Sequence, residues 1–139
     1  MTVKAPTKSV YLAYSRVDPA LAAEVKNRLA EDGLEIHSAL NAAADYELAV
    51  RIREAIKESD VLVILATPAQ IRSSWLTLEV GVAYALAKPI FLLTKDLPEE
   101  SVPPHLQWIP RIAFEDVDKL AAAIQRSNRS SSSARTEDK

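Results

Sequence analysis

The chain has 139 residues, of which 48% are hydrophobic and 26% charged, so one soluble domain with a sizeable core is expected and several large domains are excluded. Nineteen acidic against seventeen basic residues give a net charge of −2, which excludes an overall basic field of the kind that binds nucleic acid. The absence of cysteine excludes a disulfide framework, a thiolate nucleophile and cysteine-ligated zinc.

Several other classes of protein lack support in the sequence. The N-terminus has no apolar signal-peptide core, and no apolar run approaches the roughly eighteen residues that cross a bilayer, so we expect a cytoplasmic protein with no membrane partner. Two glycines, Gly33 and Gly81, cannot form a G-x-G-x-x-G turn or a Walker phosphate loop. His37 and His105 match no ligand spacing, and we expect no metal site.

Strands and helices alternate along the chain. The predicted strands are apolar runs at residues 10–14, 34–40, 61–66, 90–93 and 111–114. The predicted helices cover residues 19–32, 47–59 and 76–87, with a last one marked by Val117, Leu120, Ala121 and Ile124. Loops are expected at residues 41–46 and 67–74, and a proline-rich, mostly irregular connection at residues 95–110.

Local signals fix some of these boundaries. Asp18 followed by Pro19 is the usual start of a helix, with Asp18 as N-cap, and Gly33 is placed to end that helix. The continuous branched run at residues 61–66 is typical of a strand buried on both faces, whereas the less apolar run at 34–40 suits a sheet edge. Pro89 is expected to end the third helix.

This alternation predicts a flavodoxin-like, doubly wound parallel sheet of five strands in the order 2-1-3-4-5, with helices on both faces. Ligands of such sheets sit at the carboxyl ends of strands one and three, where the order reverses. That position gathers Tyr14, Ser15 and Arg16 with residues 67–75. We expect one domain at residues 9–126, an extension at 1–8 and a disordered serine-rich tail at 127–139.

One acidic residue is out of place in the third helix. From Leu76 to Ala87 nearly every residue is apolar, as expected of a helix buried on most of its circumference, yet Glu79 lies near its middle. A buried carboxylate must meet a partner, shift its pKa or open into a cleft. Glu79 is either an acid favoured by the helix dipole or a site carboxylate beside Trp75, and helix chemistry alone leaves both open.

Three stretches together resemble a TIR (Toll/interleukin-1 receptor) domain of the compact bacterial kind. They are V-Y-L-A-Y-S-R-V-D at Val10–Asp18, I-R-E-A-I-K-E-S-D at Ile52–Asp60 before V-L-V-I-L-A, and Ser73–Ile90. The last contains a W-x-x-x-E arrangement as Trp75 and Glu79. The resemblance extends over nearly all of the chain that we expect to be ordered.

The resemblance implies a function, because in enzymatic TIR domains the glutamate of this motif cleaves NAD at its nicotinamide glycosidic bond. It implies that Glu79 is the catalytic carboxylate, that NAD+ is a substrate, and that no cofactor is required. The products would be nicotinamide and ADP-ribose or a cyclic ADP-ribose, in immune or cell-death signalling. The implied substrate contacts are Tyr14, Ser15, Arg16, Ser73 and Trp75.

Each of these side chains also has a structural explanation. Tyr14 could cap the core, Arg16 could be a solvated loop residue, Trp75 could be a packing anchor, and Ser73 or Ser74 could cap the helix.

Other functions fit parts of the pattern. A non-enzymatic TIR module would act by self-association or by docking another TIR domain. A nucleoside deoxyribosyltransferase also uses a glutamate on a related sheet, although the first TIR-like stretch argues against it. A response-regulator receiver is excluded, because no acidic pair closes the first strand and Ala66-Thr67-Pro68 supplies no phosphoacceptor aspartate.

The sequence departs from the family in one loop. Many TIR domains carry a Pro-Gly pair after the second strand, where this chain has Ala44 and Asp45. Without that glycine the loop is expected to take a different backbone conformation. We therefore predict a possible assembly loop at Ala44, Asp45 and Tyr46 that is less able to reach a neighbouring subunit than the corresponding loop of the family.

Overall fold

A five-stranded parallel sheet organises the chain. A computed structural model describes residues 8–38 and 46–126, and in it the strands follow the order β2-β1-β3-β4-β5, as predicted. The strands are β1 at Ser9–Ala13, β2 at Glu35–His37, β3 at Val61–Ala66, β4 at Ile90–Thr94 and β5 at Arg111–Ala113. All four neighbouring pairs are parallel.

The helices occupy the connections between the strands. They are α1 at Pro19–Glu31, α2 at Tyr46–Glu58, α3 at Pro68–Ile71, α4 at Trp75–Ala85 and α5 at residues 117–126, with short 3-10 helices at Glu99–Ser101, Pro104–Leu106 and Phe114–Asp116. None of the helices in the described ranges is long and apolar enough to cross a membrane.

Helices cover both faces of the sheet, which gives two cores. On one face, buried residues of α1 and α5 pack against β1, β3 and β4, with Val25 and Leu120 fully buried. On the other face α2 and α4 pack against the alternate residues of the same strands. Ile52 of α2 and Leu76 of α4 are buried in this second core. Every residue of β3 is buried, as expected of the central strand, and β2 lies at an edge as predicted.

The segment at residues 67–74, predicted as a loop, contains the short helix α3. Thr67 is its N-cap: the Thr67 hydroxyl oxygen accepts a 3.1 Å hydrogen bond from the backbone N–H of Gln70, and Pro68 occupies the first helical position. A threonine before a proline is a helix start signal, so the loop prediction missed local chemistry present in the sequence. Tyr46, also predicted in a loop, is the first residue of α2.

Helix α4 ends at Ala85, two residues before its predicted end. The N–H of Ala87 bonds the carbonyl of Tyr84, the N–H of Lys88 bonds that of Ala83, and Ala87 adopts a φ of 60°. These two bonds with a left-handed residue form the turn that commonly closes helices. Glycine usually occupies that position, so an alanine there gave no stop signal.

Helix α4 is also less buried than its composition predicted. Leu76, Glu79 and Ala83 are buried, whereas Tyr84 is 72% exposed. The expectation of burial on most of the circumference is wrong, because a helix lying on a sheet is covered on one side. The outward side forms what we call the outer α4 groove, lined by Thr77, Val80, Gly81, Tyr84, His105 and Trp108.

Some predictions fall outside the described residues. These include the extension at residues 1–7, the end of the predicted second strand at 39–40, Ala44 and Asp45 of the assembly loop, and the tail at 127–139. The last strand, β5, ends at Ala113, one residue before its predicted end, because Phe114 already begins a 3-10 helix.

Candidate functional site

A pocket of about 320 Å³ opens at the carboxyl ends of β1 and β3, where the strand order reverses. Its walls combine apolar side chains with hydroxyl, amide and charged groups. The lining residues are Tyr11, Leu12, Tyr14, Ser15, Arg16, Ser38, Leu48, Ile52, Gln70, Ser73, Ser74, Trp75 and Glu79. This composition is typical of a small-molecule site.

The pocket brings together all six side chains that the sequence singled out as a substrate site. They are Tyr14, Ser15 and Arg16 after β1, and Ser73, Trp75 and Glu79 at the start of α4. Tyr46 does not line this pocket and is 81% exposed at the start of α2. The structure therefore separates the substrate-site residues from the described residue of the possible assembly loop.

Helical spacing aligns the two residues of the W-x-x-x-E arrangement. Trp75 is the first residue of α4 and Glu79 follows it by four, so their side chains lie on the same face one turn apart. The Ser73 hydroxyl oxygen accepts a 3.2 Å hydrogen bond from the N–H of Trp75. Ser74 occupies the N-cap position without a side-chain cap, so of the two serines only Ser73 bonds the helix start through its side chain.

A second contact joins the loops that follow β1 and β3. Asp18 precedes α1 as predicted, but its side chain does not cap the helix. Its carboxylate instead accepts a 2.7 Å hydrogen bond from the Thr67 hydroxyl, whose oxygen in turn accepts the N–H of Gln70. Asp18 is therefore the N-cap residue of α1, as predicted, but it makes no side-chain capping bond, because its carboxylate is bound to the Thr67 hydroxyl. The contact ties α1 to α3, which carries Gln70 into the pocket wall.

Glu79 is buried within the pocket and has one hydrogen-bond partner in the described part of the chain. The hydroxyl of Tyr11, on β1, donates a 2.9 Å hydrogen bond to Glu79 Oε2. Burial raises the pKa of Glu79 from 4.5 to about 7, and the hydrogen bond from Tyr11 opposes that rise. Burial and the adjacent carboxylate also raise the pKa of Tyr11, which therefore remains a hydroxyl donor at neutral pH.

Two buried acceptor atoms on the pocket wall have no donor. Among the described residues, none donates a hydrogen bond to Glu79 Oε1 or to Gln70 Oε1. Gln70 is only 2% exposed and Glu79 only 6%. Buried acceptors without partners are uncommon in folded proteins and are costly, so both atoms are candidates for ligand contacts.

Positive charge lies at Arg16, which lines the pocket, and at Lys26, which does not line it but contacts the lining residue Tyr14. The ammonium group of Lys26, on α1, lies 3.3 Å from the Tyr14 hydroxyl and 4.9 Å from the centre of its ring. Arg16 lines the same pocket and is exposed. These cations suit an anionic part of a ligand. In the described ranges, no group of three histidine or carboxylate side chains is placed to hold a metal ion.

Sequence reasoning missed two polar residues of the site, Tyr11 and Gln70. Tyr11 was predicted only as one residue of an apolar strand. Because side chains alternate along a strand, Tyr11 and Ala13 of β1 lie on the face of the sheet that α2 and α4 cover. That alternation could have flagged its hydroxyl as needing a partner. Gln70 lay in a predicted loop, where a glutamine carries no signal for burial.

Comparisons with solved structures identify proteins with this fold. A metazoan TIR-STING receptor from C. gigas has a TM-score of 0.65 at 16% identity; the match covers 91% of this chain and 43% of the receptor. A 2-desoxiribosyltransferase from Leishmania mexicana has a TM-score of 0.55 at 18% identity and covers 65% of this chain and 66% of the enzyme. A CMP N-glycosidase from Clostridium botulinum has a TM-score of 0.54 at 21% identity, and the match covers 85% of this chain and 98% of the glycosidase.

At these identities the structural matches establish the fold alone, and the chain spans less than half of the TIR-STING receptor. No curated protein gives a significant sequence match. The model of one family, the TIR domain, does match, over residues 10–127. That range contains every residue that lines the pocket and the five described strands except Ser9, the first residue of β1. The chain therefore belongs to the TIR domain family.

Proposed function

We propose that the protein hydrolyses NAD+ at the nicotinamide glycosidic bond, with Glu79 as the catalytic carboxylate. One observation carries the proposal: Glu79 is buried in a pocket at the edge of the sheet where ligands bind in such folds, and its Oε2 accepts a hydrogen bond from Tyr11 while its Oε1 has no donor among the residues that the structure describes. A carboxylate in this state is costly for folding. Its retention at such a position favours a role in ligand chemistry over a structural one.

The chemistry needs one ionised carboxylate beside the ribose. When the bond between C1′ and the nicotinamide nitrogen breaks, its electron pair goes to the nitrogen and neutralises the pyridinium ring. Positive charge develops on the ribose as an oxocarbenium-like centre, and ionised Glu79 stabilises it. Water then adds at C1′ and loses a proton, which gives ADP-ribose. An internal nucleophile of the substrate would give a cyclic ADP-ribose instead.

The acid content of the pocket favours NAD+ over neutral nucleosides. Among the described residues that line it, Glu79 is the only carboxylic acid. Ordinary glycosidases use a second carboxyl group to protonate the leaving group. Nicotinamide leaves as a neutral base without a proton, so one carboxylate is sufficient. A neutral purine or pyrimidine would lack a carboxylic acid donor in this part of the structure.

The remaining predicted contacts have defined places in this scheme. Tyr14 and Arg16, after β1, would border the nicotinamide and ribose, with Ser15 beside them. Ser73 and Trp75, at the start of α4, would line the opposite wall. Positive charge from Arg16, which lines the pocket, also suits the pyrophosphate of NAD+. By family resemblance, the products would serve immune or cell-death signalling.

The test measures nicotinamide release from NAD+ by concentrated protein. We expect Glu79→Gln and Glu79→Ala to lower kcat/KM by about 10²-fold or more, since each removes the stabilising charge. Glu24→Gln is the matched control, because Glu24 is exposed on α1 outside the pocket and its loss should leave the rate unchanged. Full activity in both Glu79 variants would eliminate Glu79 as the catalytic group.

A second candidate function is a non-enzymatic TIR module that binds another TIR domain. The outer α4 groove favours it, because Tyr84 is 72% and Trp108 56% exposed, with their rings edge to face at 6.0 Å. Exposed aromatic groups of this kind are enriched in protein interfaces. The groove lies apart from the Glu79 pocket, since the two share no lining residue.

Light scattering across a range of concentrations tests this second function. If the groove mediates self-association, Tyr84→Ser should lower the average mass at high concentration. Tyr46→Ser, which alters an equally exposed tyrosine in the possible assembly loop, distinguishes the two surfaces. A monomeric wild type at every concentration, with no NAD+ cleavage, would leave only docking to a different TIR domain.

A further inference from the structure

Gln70 and Glu79 line the same pocket, and each carries a buried acceptor atom without a donor among the described residues. These atoms are Gln70 Oε1 and Glu79 Oε1. The Tyr11 hydroxyl does not donate to either of these atoms, because its hydrogen bond goes to Glu79 Oε2. A ligand that fits this wall must therefore supply hydrogen-bond donors to these two oxygens.

The backbone of Gln70 is fixed from both sides, which gives its side chain a defined origin. Its N–H donates to the Thr67 hydroxyl oxygen at 3.1 Å, and its carbonyl accepts the N–H of Ser73 at 2.9 Å. Thr67 is in turn held by Asp18. A buried side chain on such a support loses little further entropy when a ligand binds, and this suits a residue that selects between ligands.

Ribose is the part of a nicotinamide nucleotide that supplies donors beside the reacting carbon. If Glu79 acts at C1′, the nearest donors are the hydroxyl groups of the same sugar. The carboxamide of nicotinamide also carries donors, but it is attached at C3 of the pyridine ring and lies farther from C1′ than the ribose hydroxyl groups do. The glycosidic nitrogen and the ring oxygen of the sugar supply none.

We propose that Gln70 is a specificity-determining residue that accepts a hydrogen bond from a hydroxyl group of the nicotinamide-bearing ribose. The site then favours ribosides over deoxyribosides, because a ligand without that hydroxyl leaves a buried acceptor unpaired. This inference rests on the proposed cleavage of NAD+ for the orientation of the substrate. It assigns sugar recognition to a residue of α3, apart from the carboxylate on α4.

The test compares NAD+ with two analogues that lack the 2′ or the 3′ hydroxyl of that ribose. For each protein, the ratio of kcat/KM for NAD+ to that for the analogue measures discrimination. Dividing the wild-type ratio by the ratio for Gln70→Met removes the intrinsic reactivity of each analogue. We expect discrimination against one analogue to fall by about tenfold in Gln70→Met, as for the loss of one buried hydrogen bond.

Two controls separate recognition from damage to the fold. Methionine is unbranched and similar in length, and it removes a buried unpaired acceptor, so Gln70→Met should not lower the melting temperature. Gln125→Met makes the same substitution at an exposed position on α5, outside the pocket, and should leave both ratios unchanged.

Distinct results overturn the inference and the proposed function. Cleavage of NAD+ with both ratios unchanged in Gln70→Met would overturn the role of Gln70 and leave the proposed function intact. An acetylpyridine analogue of NAD+ lacks the amide donors. If Gln70→Met changes only the discrimination against this analogue, the inference is overturned in favour of a contact between Gln70 and the nicotinamide group. If neither wild type nor Gln70→Met cleaves NAD+, calorimetry measures the Kd of NAD+ and of each analogue for both proteins. A preference for NAD+ over an analogue that is lost in Gln70→Met supports the inference, and the same preference in both proteins overturns it.

Discussion

Tyr11 and Glu79 form a buried hydrogen bond of 2.9 Å between Tyr11 Oη on β1 and Glu79 Oε2 on α4. The bond fixes one oxygen of the carboxylate, whereas the other oxygen is buried and has no donor among the described residues. Burial and this bond act on the pKa of Glu79 in opposite directions, and burial dominates, so the pKa lies at about 7. The charge state of Glu79 therefore changes within the physiological range of pH.

The first prediction concerns the pH dependence of NAD+ cleavage. Only ionised Glu79 stabilises positive charge on the ribose, so kcat/KM should rise about tenfold per pH unit below pH 7 and level off above pH 8. The measurement is nicotinamide release at low substrate concentration, which reports the free enzyme. A rate that is constant from pH 5 to pH 8 would contradict a catalytic carboxylate with this pKa.

The second prediction concerns Tyr11→Phe. Because the hydroxyl of Tyr11 lowers the pKa of Glu79, its removal should move the rising limb of the pH profile to higher pH, by about one unit for a bond to a charged group. At pH 7 the rate should fall several-fold, and it should approach the wild-type rate at pH 9. Tyr84→Phe is the control, since Tyr84 is exposed and outside the pocket.

A uniform loss of rate at every pH, with the midpoint unmoved, would show that Tyr11 places the carboxylate without setting its pKa. A shift of the midpoint separates Tyr11 from a purely structural residue of the core, because loss of packing alone would not move the midpoint.

The third prediction concerns stability. The pKa of Glu79 is higher in the folded protein than in the unfolded chain, so the folded state holds the proton more tightly. Its contribution to stability is fully present below about pH 4.5 and is lost as pH rises through 7. The whole effect is on the order of 3 kcal/mol, since each pKa unit corresponds to about 1.4 kcal/mol.

Glu79→Gln removes this titration and leaves the other groups in place. The variant should therefore gain stability relative to wild type between pH 5 and pH 8, as measured by urea unfolding at both values. A stability difference that does not depend on pH would argue that the Glu79 carboxylate is not buried in its charged form. Such a gain, with loss of activity, is the usual relation between stability and function at a strained site.

Much of the fold follows from the sequence because hydrophobic patterning dictates it. The run at residues 61–66 has no polar position, and only a central parallel strand buries both faces of such a run. The polar character of Glu35 and His37 likewise placed β2 at an edge. The alternation of elements then fixed where the chain reverses order, and so where Tyr14, Arg16 and Glu79 meet.

The parts that could not be predicted depend on pairs of residues brought together by packing. Tyr11 reads as one more apolar residue of β1, and its role depends on Glu79 arriving from α4, 68 positions away. Asp18 reads as a helix cap, and its carboxylate instead meets Thr67 from another loop. Neither contact has a local signal, because the competing tertiary partner is not adjacent in sequence.

The last prediction concerns Ala87, whose left-handed φ of 60° closes helix α4. An alanine in this conformation costs roughly 1 to 2 kcal/mol, because its Cβ approaches the following carbonyl oxygen. Ala87→Gly removes that cost but gives the unfolded chain more freedom, which offsets part of the gain. A net stabilisation of about 0.5 kcal/mol is expected in urea unfolding.

Ala85→Gly is the control, because Ala85 lies two residues earlier and is still helical. It should destabilise the protein by roughly 0.5 to 1 kcal/mol, because no strain is relieved there. Equal destabilisation by both substitutions would mean that Ala87 is not strained in solution and that α4 continues through it.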